Sequence, residues 1–417
     1  MPSFSRVLIL IEVNLVAGGR ISLVTPVKLR VSEESTSETN MKSQTLKLFA
    51  VFLVVTLWAI RNDASDQSNG PALGPETDTL YVGDGGDNTV KSFNAKSGTN
   101  DKAKTFVPET DPTSPLSGPS LFGLLVAGGE LIVVNQNNGT DFPGDIQQFL
   151  LTTAKFAGFL VEKNDPAAPF IPHAAVLLNS VLYVSNITGN ATDPAEPGAI
   201  YVFAGNGDSL GKLAPPLYLP NLAKRFFPRG IVLNPRDGLL YVSNCPNFTR
   251  AAGAGNGGQV LKFDPRTLQF RGVFVDDTGS IGGLNRPDGL VFGPNGNLYV
   301  TSFRFNPVQP NPPDPAALDS IRVYDRFGRF LESIPLDKQG EPRAFAQAIL
   351  FGPDGKLFVP ISGNGPETGE IRRYDVRTKN YSVFVEVGIL GSPQYLTFGR
   401  TDSATLAYGL ESGASEH

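Results

Sequence analysis

The sequence predicts an all-β fold: six four-stranded antiparallel blades closed into a β-propeller by the C-terminal strand. Three observations predict it. A short strand of aromatic and β-branched residues recurs six times at an even spacing. In most copies a tight Gly, Asn or Asp turn joins it to a strand just before it. The unit is incomplete at both ends of the repeat region, so a C-terminal strand is left over to complete the first blade.

The recurring strand is TLYVGDG at Tyr81, ELIVVNQ at Ile132, VLYVSNI at Tyr183, LLYVSNC at Tyr241, NLYVTSF at Tyr299 and KLFVPIS at Phe358, spaced by about 51 to 59 residues. The hairpin before it is clearest in RPDGLVFGPNGNLYVTS, from Arg286 to Ser302. Its relatives are FPRGIVLNPRDGLLYVSN from Phe227 and AQAILFGPDGKLFVP from Ala346. Turns such as Pro294-Asn295-Gly296 supply the backbone conformations a hairpin needs. A third strand follows (TVKSFN, AIYVFA, QVLKFD, IRVYD, EIRRYD), then a fourth such as FRGVFVD or YSVFVEV. SPQYLTFGR, from Ser392 to Arg400, copies a first strand without a unit after it. The blade of Tyr81 lacks a first strand, and pairing the two closes the ring and removes its sheet edges. A pair of sandwiches is the competing architecture, and the even period across the chain disfavours it.

Composition agrees. The chain has 417 residues, with 45 Gly and 34 Pro, roughly a fifth of the total, against an average near 12%. That excess means many turns, and it argues against a helical bundle. Hydrophobic residues at 41% argue against disorder. A net charge of -5 without a basic cluster excludes nucleic acid as the main partner. One Cys and two His exclude a disulfide framework and a Cys/His zinc site.

Met41 opens a segment laid out like a secretory signal. Lys42 and Lys47 precede an apolar run, Leu48 to Ile60, and Arg61 to Ser65 turn polar. The run of about 13 residues matches an h-region and is short for a membrane span. The expected organisation is an N-terminal extension over 1–64, a flexible lead over 65–75, the propeller over 76–410 and a tail over 411–417. The expected location is secreted or periplasmic, with an uncleaved N-terminal anchor as the alternative and the only route to a membrane. A lone Cys245 fits export.

Matching repeat positions form rings around a propeller axis. The residue that starts each innermost strand gives Phe122, His173, Arg229, Asp288, Gln347 and Gln394. A second ring ends each second strand: Asp84, Asn135, Asn186, Asn244, Ser302 and Ile361. Both lie on one face, so the channel mouth is expected to be polar, with one cation, one acid and one His. Such residues are ligand candidates, and the competing reading is turn capping and local backbone bonding. Long connections over 136–145, 187–198, 245–258, 303–319 and 361–369 fall on the same face, where recognition is usually carried. Asn138, Asn186, Asn190 and Asn247 begin glycosylation sequons in them.

The P-x-G…G-P-x-G-x-L-Y-V pattern, followed by an I-x-x-Y/F-D strand, resembles NHL-repeat propellers and their gluconolactonase (senescence-marker) relatives. The resemblance covers about 335 residues and implies a six-bladed propeller. The gluconolactonase-like enzymes imply a divalent metal at the top of the channel, held by an early-blade Glu and by Asn and Asp near inner-strand starts. Asp288 in RPDG matches that Asp. Arg229 and His173 stand where an Asn is expected, and no Glu-Gly-Pro element opens the first blade. A related lyase or hydrolase implies a His base, and only His173 lies in the domain.

The reading that results is an exported binding module without a cofactor. It holds a small anionic ligand, a glycan or a protein at the mouth, and Arg229 is the residue suited to an anion. The alternative is a metal-dependent lactonase, hydrolase or lyase using Asp288, His173 and Arg229, with calcium or another divalent metal.

Overall fold

The structure, a computed structural model, describes residues 78–99, 105–107, 110–111, 114–115, 121–136, 143–188, 196–246, 257–277, 283–304, 318–338, 342–363 and 369–409. The chain divides into two units, Met1–Pro71 and Ala72–His417, and the described residues belong to the second. Residues 1–77, and with them the signal-like segment, lie outside the described residues, as do the centres of the five long loops.

Six four-stranded antiparallel sheets follow one another along the chain. The second to fourth blades begin with Leu121–Ala127, Pro172–Leu178 and Pro228–Leu233. In the fifth and sixth blades the first strand shrinks to Leu290–Phe292 and Leu350–Phe351. The first blade takes its innermost strand from the other end of the sequence. Pro393–Phe398 pairs antiparallel with Thr79–Asp84, with Val82 opposite Leu396 and Leu80 opposite Phe398. Asp84 fastens this junction by accepting the backbone N–H of Gly391 at 2.8 Å and of Ser392 at 2.7 Å. The ring therefore closes as the incomplete end units require, with Tyr395 to Phe398 paired into the blade of Tyr81.

Burial explains why the second strands are the clearest repeats. Each lies mid-blade with a sheet against both faces. Val181–Asn186 and Glu130–Asn135 are buried at every position but the first. Unbroken apolar runs result, where a strand with one wet face would alternate. The fourth strands lie at the rim, and Phe330–Pro335 and Tyr381–Val385 are half exposed. This leaves them free to drift in sequence.

The innermost strands converge on Gly123, Ala174, Gly230, Gly289 and Ala348, which line the axis with Tyr395. Small residues are required there. A β-carbon on Gly230 would come 2.3 Å from the Asp288 carbonyl oxygen of the next blade. The cavity left is about 40 Å³, far below the roughly 300–1,000 Å³ of ordinary ligand pockets.

The chain past Gly399 closes the opposite end of the channel. Leu177 and Leu233 donate backbone N–H bonds to Ser403 and Ala404. Leu406 then inserts among the blades, touching five of the apolar clusters between them. Tyr408 ties this segment to the first blade through Asp78 at 3.0 Å. The repeat carries no copy of this plug, so its pattern gave no hint of it.

Candidate functional site

A β-bulge builds the mouth. Between Pro172 and Ala175, Pro228 and Ile231, and Leu121 and Leu124, the pairing with the second strand shifts register. The extra residues are His173-Ala174, Arg229-Gly230 and Phe122-Gly123. Bulges kink a strand and re-aim its side chains. Here they turn the ring residue off the sheet toward the axis.

Hydroxyls of the recurring YVS and YVT segments then fix the ring between blades. Ser185 donates to the Arg229 carbonyl of the next blade. Ser243 donates to the Asp288 carbonyl at 2.6 Å. Thr301 accepts the Asp288 backbone N–H at 3.2 Å. These positioning residues recur visibly in the sequence, and their small polar side chain in an apolar strand was the available signal.

Three ring residues meet at Asp288. Its Oδ1 lies 2.6 Å from His173 Nε2 and its Oδ2 accepts Arg229 at 2.9 Å. A carboxylate only accepts, so the shared proton sits on Nε2 and the imidazole is held in that tautomer. His173 and Asp288 are 1% and 0% exposed, and Arg229 is 14% exposed at its side chain. Of the trio only Arg229 reaches solvent, while Asp288, held between its two partners, and His173 are enclosed.

Phe122 lies against the His173 ring at 4.4 Å. Tyr395 meets His173 edge-on at 5.7 Å and Phe122 at 5.9 Å. Tyr395 was missed as a site residue. It occupies the slot filled by Gly or Ala in the other five blades, and that mismatch was the legible clue. Burial, with Asp288 nearby, raises its hydroxyl well above the ordinary tyrosine range, so it stays neutral. That hydroxyl is buried beside the Asp288 carboxylate. Gln347 is buried, and its Oε1 is unpartnered. Gln394 lies over Gly85 of its own blade.

The second ring differs from its expected role as a ligand surface. All six residues are buried, and the five polar ones bond within their own blade or to the segment leading into its first strand. Asn186 accepts the Ile171 backbone N–H at 2.6 Å and donates to the Thr188 carbonyl at 2.7 Å. Asn244 accepts the Phe227 N–H at 2.7 Å, and Ser302 accepts that of Asn285 at 3.0 Å. Asn135 donates to Asp145 at 3.1 Å, and Asp84 grips Ser392 as above. Ile361 is apolar and buried. Since both ends of the Asn186 amide are engaged inside the blade, its sequon is closed in the folded protein. The sequons of Asn138, Asn190 and Asn247 lie outside the described residues.

Burial lowers the His173 pKa from its ordinary 6.5, and Asp288 offsets only part of that. The imidazole is therefore neutral near pH 7. A pKa depressed in the folded state means the unfolded chain binds the proton more readily. Stability is present above about pH 6.5 and is lost as pH falls through the lower folded value. The melting temperature is expected to fall over this window in the native protein. In His173→Gln that part of the pH dependence should flatten. An unchanged slope in the variant would assign the loss to carboxylates.

Asp288 does not offer the donor set of the divalent metal that the resemblance implies. One of its oxygens is held by a guanidinium and the other by an N–H donor. A hard cation wants several oxygen ligands, and a cation at Arg229 repels it. Among the described residues, no three His, Cys, Asp or Glu side chains converge as a metal group.

The propeller of a nidogen/laminin complex, solved as a crystal structure, matches with a TM-score of 0.50 at 13% identity, covering 77% of this chain and 98% of that one. This is the six-bladed propeller fold. A luciferin-regenerating enzyme matches at a TM-score of 0.46 and 14% identity, covering 82% of this chain and 94% of that one. A streptogramin B lyase matches at 0.41 and 14%, over 64% and 69%. At these identities the likeness speaks to fold alone. No protein-family model matches the propeller, and no curated protein does.

Proposed function

We propose that the protein is an exported binding propeller that holds its ligand at the channel mouth, above the His173–Asp288–Arg229 trio. The observation carrying this reading is the closure of that trio on itself. Both Asp288 oxygens are taken, so the one acid of the ring is spent on structure. The cavity beneath is too small for a substrate. A ligand must then rest on the mouth and its loops, where a scaffold of this shape has a broad face to offer. The propeller in the nidogen/laminin complex supports a protein as one kind of occupant, beside a glycan or a small anion.

Purified protein is expected to carry no stoichiometric divalent metal, to melt at the same temperature with and without chelator, and to turn over no lactone. Bound calcium at one per chain, with turnover that Asp288→Asn removes, would overturn the reading. Export rests on the Met41–Ser65 segment. Secreted protein is expected to begin near Ser65, and a mature chain retaining Leu48 to Ile60 in a membrane would replace export with anchoring.

One observation favours the hydrolase or lyase alternative. His173 Nδ1 is buried without a hydrogen-bond partner, while Nε2 is oriented by a carboxylate. An imidazole so held presents a basic nitrogen, as a general base requires. On this reading His173→Gln abolishes turnover and leaves ligand affinity in place. On the binding reading there is no turnover to lose.

A further inference from the structure

Four arginines gather at the mouth over the fourth to sixth blades. Three have carboxylate partners: Arg229 with Asp288, Arg304 with Asp337 at 3.0 Å, and Arg343 with Asp319 at 2.9 Å. The fourth, Arg286, has none among the described residues. Its guanidinium donates one bond, to the Arg304 carbonyl at 3.0 Å, and its Nε is buried without a partner. With His173 neutral, four cations face three anions among the described residues.

The surplus charge is felt. Burial first, then Arg343 and Arg229, bring the Arg286 pKa down to about 10. The group stays charged at neutral pH, in a place that disfavours charge. The backbone holds it there in an uncommon conformation, at φ 41°. The matching position of the sixth blade, Phe345, is likewise bent, at φ 51°. Bulky residues reach positive φ only when the surroundings enforce it, and such positions cluster at ligand sites.

Aromatic surface lies beside this cation. Phe303 and Phe345 stack at 4.8 Å with their planes 12° apart. Arg286 sits over Phe303 at 5.6 Å, and Arg343 over Phe345 at 5.1 Å. Asp319 sets the arrangement, accepting Arg343 and the backbone N–H of Phe345 at 3.0 Å. Phe303 is buried and Phe345 half-buried, so the stack presents its Phe345 side.

We propose that Arg286 anchors a carboxylate subsite at the mouth over the fifth and sixth blades, taking a small aromatic monoanion. This rests on the binding reading above and names its ligand class. One negative charge neutralises the surplus, whereas a phosphate dianion would overshoot it. The planar guanidinium fork matches a carboxylate, and the Phe345 ring gives an aryl group a surface to pack on. Arg229, expected from the sequence to take the anion, is occupied by Asp288.

Benzoate is the probe, with acetate and inorganic phosphate as comparison arms at constant ionic strength. Benzoate is expected to raise the melting temperature of the native protein more than either. Arg286→Gln should weaken benzoate binding by roughly ten- to a hundredfold, the worth of a charge-assisted fork. The same variant without ligand should melt no lower than the native protein, since a repelled charge has been removed. Arg286→Lys keeps the charge and loses the fork, so it should bind benzoate at intermediate strength. It also covers the case in which the Gln variant does not fold. Exposed Arg329, paired with Asp325, is the control site, and Arg329→Gln should bind benzoate like the native protein. Native protein indifferent to benzoate, equal shifts in native and Arg286→Gln, or a larger shift with phosphate would each overturn the subsite. The metal and turnover measurements judge the binding reading separately.

Discussion

Removing residues 392–417 is expected to leave no cooperatively folded monomer. The deletion takes away the innermost strand of the first blade and the Leu406 plug together. Tyr395, Leu396 and Phe398 are all buried, and burying each such side chain is worth about 1.5–3 kcal/mol. Their loss approaches the whole stability of an ordinary domain, about 5–15 kcal/mol. The deletion also uncovers the hydrogen-bonding edge of Thr79–Asp84, which invites association through strands. Calorimetry and size-exclusion chromatography check this. Leu396→Asp tests the same strand at full length and should lower the melting temperature sharply. A truncated chain that melts as a monomer near the native temperature would mean the ring does not depend on that strand.

Asp288→Ala is expected to be the most damaging single change at the mouth. It strands the Arg229 guanidinium and the His173 N–H in a buried place. Breaking a buried pair by removing one partner costs about 3–5 kcal/mol. At about 2.1 cal/mol/K per residue over roughly 330 residues, the melting temperature should drop by about 4–7 °C. Arg229→Ala should cost less, because Asp288 keeps its bond to His173 and Arg229 is the more exposed partner. Mouth residues here bear on stability because they bond three blades together. An Asp288→Ala protein melting within a degree of the native one would refute the coupling.

Repetition explains how much of the fold the sequence by itself determined. A propeller is made of contacts between like neighbours, so one pattern read six times states the blades, their order and the closure by Ser392 to Arg400. Double burial wrote the second strands as runs such as LYVS, legible without a structure. The ring of His173, Arg229 and Asp288 was legible for the same reason, since equal positions in a repeat converge on one axis.

Tertiary structure decided what those residues do there. Whether a polar residue at a strand end faces solvent or its own blade depends on the backbone groups brought beside it, which the hydrophobic period does not record. The second ring, Asp84 to Ser302, became internal fastening because unpaired N–H groups of the segments entering the first strands lie against it. Charge pairing was equally hidden, because Arg229 and Arg286 look alike along the chain. Only the distances assign Asp288 to the first and leave the second without a carboxylate among the described residues. Tyr395 and Leu406 depart from the repeat, and a period cannot announce its exceptions. Their places were fixed by the space that six converging strands leave at the axis and by the chain end that reaches it.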